Sequence, residues 1–282
     1  MQSPCPGTGG IGMRGRVLIV AGSDSGGGAG IQADIKAVTA LDGFAMTAIT
    51  AITAQNTLGV HGVFGVDPAF VARQIEVVAT DLGADVVKTG MLATPDVINA
   101  VADAIDRYLP AAPLVLDPVM VAKGGHRLLE AHAEAALIER LLSRAAVVTP
   151  NLPEAEVLVG FAIANEADMR RAGETLLRFG PKAVLVKGGH LEDGGADVVD
   201  LLVTAGGVER FAHRRIASRS THGTGCTLAS AIACGLAQDL SLSAAVARGR
   251  DYVRRAIETA PGFGAGHGPL NHAVTLDPDW RR

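Results

Sequence analysis

Charge is scarce in this chain of 282 residues: Asp, Glu, Lys and Arg make up 19% of it, and the formal net charge is −4. That leaves no electrostatic case for a polyanionic partner. Aromatic residues, at 4%, leave no stacking platform for single-stranded nucleic acid. Cysteine is sparse too. Cys5, Cys226 and Cys234 include no C-x-x-C pair, which argues against a disulfide framework or a zinc cluster and fits a reducing, cytoplasmic setting. No run of about 18 uncharged apolar residues occurs, so no membrane span is expected. What the chain has in quantity is apolar bulk, 48% of its residues, enough for one large α/β domain or two small ones.

Residues 1–15 are rich in Gly, Pro and Ser, without periodicity, and read as a disordered tail; Met13 is an alternative start. The formal G-x-G-x-x-G at 7–12 has no strand before it and no helix after it, so it reads as chance. Order begins at Arg16. V-L-I-V-A at 17–21 is fully apolar, as a parallel strand covered on both faces must be. It runs into a glycine-rich loop at 22–30 and a helix over 31–41. That loop lacks the G-K-[ST] ending of a P-loop.

Strands are expected at 44–53 and 60–66. From residue 68 onward helices and strands alternate, a helix over 131–142 among them, and a hairpin follows at 198–204 and 207–214. The last two helices cover 224–237 and 241–259. In the second of these Leu242, Ala245, Val246, Tyr252, Val253, Ala256 and Ile257 share one apolar face. Repeated βα units predict one α/β domain over 16–276, with a mostly parallel sheet between helical layers and a short tail at 277–282. Gly22 to Gly30, Gln55, Lys88 to Met91, Asp117, Asn151, Glu154 and Lys187 all fall just past strand carboxyl ends, where open α/β sheets bind ligands.

The stretch at 218–238, S-R-S-T-H-G-T-G-C-T-L-A-S-A-I-A-C-G-L-A-Q, is a glycine-containing loop feeding a small-residue helix. Unpaired first-turn amides and the positive end of the macrodipole make such a junction an anion site. It either receives a phosphoryl group or is an ordinary tight turn before a buried helix. Cys226 sits in the first turn, where the dipole is expected to lower a thiol's pKa from its usual value near 8.5. Cys234, two turns on, reads as core.

The motifs A-G-S-D-S-G-G-G-A-G-I-Q-A-D (21–34), T-A-Q-N-T (53–57), K-T-G-M-L (88–92), L-D-P-V-M (116–120), T-P-N-L-P-E-A (149–155), V-K-G-G-H (186–190), T-H-G-T-G-C-T (221–227) and G-H-G-P-L-N-H (266–272) occur in that order. Together they resemble the ribokinase-like superfamily, and within it the hydroxymethylpyrimidine and phosphomethylpyrimidine kinases. The resemblance implies a three-layer α/β/α fold with a small hairpin or flap. It also implies ATP-dependent phosphorylation of a pyrimidine alcohol and then of its monophosphate, with Mg²⁺, and a homodimer.

By the same resemblance Gly223, Thr224, Gly225 and Cys226 form the anion hole, with Cys226 acting as a base or packing against the ring. Gln55 reads the aminopyrimidine edge, and Gly22, Asp34, Met91 and Val119 line the ring pocket. Lys187, Asn151 and Asp117 face the phosphates, while Glu154 and Asp117 serve the metal directly or through water. Lys123-Gly124-Gly125 is a candidate flap. His190, His213, His222, His267 and His272 show no metal spacing and read as polar or capping residues. The alternatives are a pyridoxal kinase, or a regulator that kept the fold and lost turnover.

Overall fold

The computed structural model describes residues 13–121, 128–130, 132–189, 191 and 196–276. The 123–125 flap, His190, Cys5 and the expected tails, apart from residues 13–15, lie outside the described residues.

Nine strands form one sheet: β1 (Arg16–Asp24), β2 (Phe44–Asn56), β3 (Gly59–Gly65), β4 (Val86–Thr89), β5 (Leu114–Leu116), β6 (Ala145–Val148), β7 (Ala183–Lys187), β8 (Asp197–Thr204) and β9 (Gly207–Arg214). Their spatial order is β3-β2-β1-β4-β5-β6-β7-β8-β9. Neighbours from β2 through β7 run parallel, and β3, β8 and β9 add antiparallel pairings at the two edges. The expected hairpin is thus continuous with the sheet.

The helices are α1 (Gly30–Ala40), α2 (Pro68–Asp81), α3 (Pro95–Tyr108), α4 (Ala133–Arg140), α5 (Leu152–Val159), α6 (Glu166–Leu177), α7 (Thr224–Ala237) and α8 (Leu242–Glu258). Period-two alternation along β1 shows how they layer. Leu18 and Val20 join one core with residues of α2 to α6, whereas Val17, Ile19 and Ala21 join a second core with α1, α7 and α8. A strand apolar at every position is therefore what the centre of this sheet requires.

The chain leaves β1 toward β2 and β3, then returns across β1 to β4. The two sides diverge at β1 and β4, whose carboxyl ends open a crevice at this switch point. The loop after β1 and Gly90-Met91 after β4 stand on either side of it. The helix expected over 131–142 is shorter, Ala133–Arg140.

Candidate active site

Five helices start with a side-chain cap: Asp67, Thr94, Asn151, Asn165 and Ser241 accept first-turn amides of α2, α3, α5, α6 and α8. Among the described residues no side chain caps α1, α4 or α7. Of these three, α1 and α7 begin at the crevice, where Ala29, Gly30, Gly223, Thr224, Gly225 and Cys226 line a cleft of about 340 Å³. Two helix starts without a side-chain cap thus border a cavity, the setting of an anion site.

Gly223, the residue before α7, has φ +80°, and a Cβ there would lie 1.8 Å from the Gly28 carbonyl oxygen. The two glycine-rich loops pack backbone against backbone. Asp24 organises the first of them: its carboxylate accepts the amides of Gly26 (2.8 Å), Gly28 (3.1 Å) and Ala29 (2.8 Å) and the Nε2–H of His222 (2.8 Å). Burial pushes the Asp24 carboxyl up, but the bonds from His222 and the loop amides outweigh it and hold the group below the usual carboxylate range. Gln55, at the end of β2, lies 3.4 Å from His222 Nε2. The ring reader expected from the sequence and the anion loop are therefore joined through one imidazole.

On the other side of the α7 start, Lys187 Nζ donates to Asp117 Oδ1 at 3.1 Å, and Thr149 Oγ1 donates to the same oxygen. A Cβ built on Gly225 would be 3.2 Å from Lys187 Nζ and 3.9 Å from Asp117 Oδ2, so this pair stands beside the helix start. Burial opposes the Lys187 charge, but Asp117 and Glu154 more than compensate and keep it an ammonium. Asn151 and Glu154 close a capping box: Asn151 Oδ1 accepts the Glu154 amide and Glu154 Oε2 accepts the Asn151 amide, each at 2.9 Å. Burial, opposed by Lys187 and reinforced by Asp117, pushes the Glu154 carboxyl up to about 7.

Gly22, Gln55, Met91, Val119, Asp117, Asn151, Glu154, Lys187 and the 223–226 loop all line this cleft. Asp34 does not. It is wholly buried in α1, where both its oxygens accept from Lys88 Nζ (3.0 and 2.8 Å) and Oδ1 also accepts from Ser230 Oγ. Lys88 is the residue that lines the cleft, so the expected place of Asp34 in the pocket wall is corrected to a support behind it. Burial opposes the Lys88 charge, but Asp34 and the neighbouring Cys226 and Asp117 hold it above the ordinary lysine range.

Breaking this pair should be costly: Lys88→Met is expected to lower stability by about 3–5 kcal/mol in denaturant titration, because Asp34 is left buried without its counter-charge. The double change Lys88→Met with Asp34→Leu should recover most of that loss.

Cys226 departs from expectation in its proton. Burial, with Asp34 and Asp117 nearby, pushes the thiol up to about 12 despite Lys88 and the Gly30 amide. The helix start does not overcome desolvation at this sulfur. Cys234 is buried core, as expected. Sequence reasoning placed Asp24 and Lys88 at strand ends without a role of their own and read His222 as an ordinary polar or capping residue. The one available signal was a lysine inside the otherwise apolar V-V-K-T strand.

A family model described as phosphomethylpyrimidine kinase matches residues 24–271. The chain is 47% identical over 257 residues to the hydroxymethylpyrimidine/phosphomethylpyrimidine kinase of Bacillus subtilis (strain 168), covering 91% of this chain and 94% of the relative. It is 52% identical over 264 residues to the thiamine biosynthesis bifunctional protein ThiED of Geobacter sulfurreducens, covering 94% of this chain and spanning about half, 53%, of that longer protein. Among solved structures it is similar to the pyridoxal kinase from Staphylococcus aureus in complex with AMP-PCP and pyridoxal: TM-score 0.85, 31% identity, 94% of this chain and 96% of the other.

Proposed function

The chain belongs to the phosphomethylpyrimidine kinase family and has the ribokinase-like fold, and on that footing we propose that it is an ATP-dependent phosphotransferase of thiamin biosynthesis. Its substrate is 4-amino-5-hydroxymethyl-2-methylpyrimidine, phosphorylated to the monophosphate and then to the diphosphate. The observation that carries this reading is the 3.4 Å approach of Gln55 to His222, because it sets a donor–acceptor ring reader beside the residue that precedes Gly223. One small alcohol can then reach both.

In this reading the amides of Gly223 to Cys226 and the Lys187 ammonium stabilise charge on the migrating phosphoryl group. Asp117 and Glu154 are two carboxylates beside Lys187, and no group of three or more His, Cys, Asp or Glu among the described residues makes a metal cage. That set fits Mg²⁺, which takes one or two carboxylates and leaves its other positions to water and phosphate oxygens. Bound there with the nucleotide, the ion would neutralise phosphate charge. Asn151 Oδ1 is engaged in the capping box, so only its amide nitrogen remains for phosphate.

Burial holds the proton on Cys226, so acting as a base requires that proton to leave, with Lys88 the nearby charge that favours the thiolate. The alcohol step needs a proton acceptor; the second step, with an ionised phosphate oxygen as nucleophile, does not. Cys226→Ala should therefore slow the first phosphorylation about a hundredfold and the second by less than about threefold. Equal losses in both steps would remove the base role and leave packing.

A homodimer is part of the proposal. It is supported by edge strand β3, which leaves Phe64, Val63 and the adjoining Leu58 exposed, and light scattering tests it. Among the described residues no helix is long and apolar enough to cross a membrane.

The second reading, a pyridoxal kinase, is favoured by the likeness to the S. aureus enzyme. Steady-state kinetics on the pyrimidine alcohol, its monophosphate and pyridoxal separate the two. The pyrimidine reading expects kcat/KM for the alcohol to exceed that for pyridoxal by about tenfold or more, the worth of one matched hydrogen-bonding edge. The reverse order would favour pyridoxal.

A further inference from the structure

His222 is 8% exposed, belongs to a loop the chain reaches 198 residues after Asp24, and touches both Asp24 and Gln55. Asp24 is held ionised, and an ionised carboxylate only accepts. The proton of the contact at 2.8 Å therefore resides on His222 Nε2. Gln55 Nε2 stands 3.4 Å from that nitrogen; a protonated ring nitrogen has no lone pair for an NH₂, so the network assigns this end of the amide to the carbonyl oxygen.

The far end of the same amide gives a second, independent constraint. Thr53 Oγ1 has one hydrogen, which it gives to the Ser23 carbonyl at 2.9 Å. Gln55 Oε1 stands 3.2 Å from that hydroxyl; with the hydroxyl hydrogen on Ser23, Oγ1 can only accept there, and the network assigns this end of the amide to the NH₂. Both ends of the amide demand the same polarity. Oxygen and nitrogen of a glutamine amide are told apart only by such a network. The backbone of Gln55 is pinned as well: Ser25 Oγ accepts its amide and donates to its carbonyl, each at 2.9 Å.

We propose that His222 is a positioning residue that sets substrate orientation: clamped by Asp24, its Nε2–H turns the Gln55 amide so that the carbonyl oxygen lies toward the imidazole and the NH₂ toward Thr53. This rests on the pyrimidine kinase reading above. The edge to be read is an amino group beside a ring nitrogen, one donor and one acceptor. With the amide so turned, its oxygen takes the substrate amino group on the His222 side and its nitrogen gives to the ring nitrogen. The hydroxymethyl group is carried by the carbon next to the amino-bearing one, so it falls on the side of His222 and Gly223, at the anion loop. With the amide reversed the ring must turn over to keep both bonds, and the 2-methyl and 5-hydroxymethyl groups exchange places. A methyl group would then face the anion loop and nothing could react. The Asp24–His222 clamp therefore selects the reactive one of two otherwise equivalent ring registers.

The test compares the pyrimidine alcohol with its 4-deamino analogue, which has no amino group for the amide to read. In His222→Phe, which keeps a ring without a donor, kcat/KM for the alcohol should fall tenfold or more, and that for the analogue less than threefold. The KM for ATP should move less than twofold. His222→Gln, which restores an N–H at similar reach, should return the alcohol to within threefold of the unmodified chain. If His222→Phe fails to fold, Thr53→Val, which keeps the shape of the side chain and removes the hydroxyl at the far end of the amide, should show the same loss confined to the alcohol. Equal losses on both pyrimidines, or no loss on either, would overturn the proposal. Failure of the unmodified chain to phosphorylate the alcohol would instead overturn the function reading, and this inference with it.

Discussion

Lys187→Met should lower kcat by about a hundred- to a thousandfold, the usual cost of removing one preorganised partner of transition-state charge, while the protein stays folded. Lys187 Nζ stands between Asp117 and the start of α7, at the end of a buried strand. In the free protein its ammonium is the counter-charge for two acidic groups, Asp117 and Glu154. In the reaction it neutralises charge building on the phosphoryl oxygens. Methionine has nearly the same length and packs the same space, so the variant isolates the charge. Two effects then act together. The transferring group loses a cation, and Asp117 is left without its counter-charge facing an incoming polyanion. The affinity for ATP should weaken along with kcat. A loss of less than about threefold in kcat would place Lys187 outside the reaction and make it a partner of Asp117 alone.

The second large effect concerns backbone shape. Gly223→Ala should lower kcat/KM by at least about a hundredfold, comparable to losing an oxyanion-hole donor, and should also reduce thermal stability. Gly223 holds φ +80°, where a Cβ is strained, and that Cβ would fall 1.8 Å from the Gly28 oxygen and 3.1 Å from the Ala29 Cα. No flexible side chain stands in the way to yield; the obstruction is the backbone of the other loop. Relief must come from parting the two loops, which withdraws the α7 amides from the cleft and strains the His222–Asp24 bond. Gly59→Ala is the control, since a Cβ there meets nothing within 4 Å. Kinetics and melting curves on the two variants should differ sharply. Similar behaviour would mean that the loop contact does not shape the site.

Period and punctuation account for what was readable without coordinates. The apolar run of β1, the glycine loop after it and the helix beginning at Thr224 carry their own local signals, and they stand as expected. Strand-end positions also brought Gln55, Asp117, Asn151, Glu154 and Lys187 to one cleft, because a parallel sheet puts every carboxyl end at the same edge.

Pairings between distant residues leave no such trace. Asp24 meets His222 across 198 positions and Lys88 meets Asp34 across 54, and no periodicity announces either contact. His222 consequently read as an ordinary polar residue and Asp34 as part of a pocket wall. The Cys226 thiol departs from its local signal for another reason. A helix start favours a thiolate, but desolvation depends on what surrounds the sulfur, and here it dominates.

The central claim is that one cleft holds the pyrimidine against Gln55 while the 223–226 loop receives the migrating phosphoryl group. Purified protein incubated with ATP, Mg²⁺ and 4-amino-5-hydroxymethyl-2-methylpyrimidine, followed by mass spectrometry, tests it most directly. A product one phosphoryl group heavier than the alcohol should appear first and then convert to one two groups heavier, with ADP formed at each step. An unchanged alcohol in the presence of intact, ATP-binding protein would contradict it.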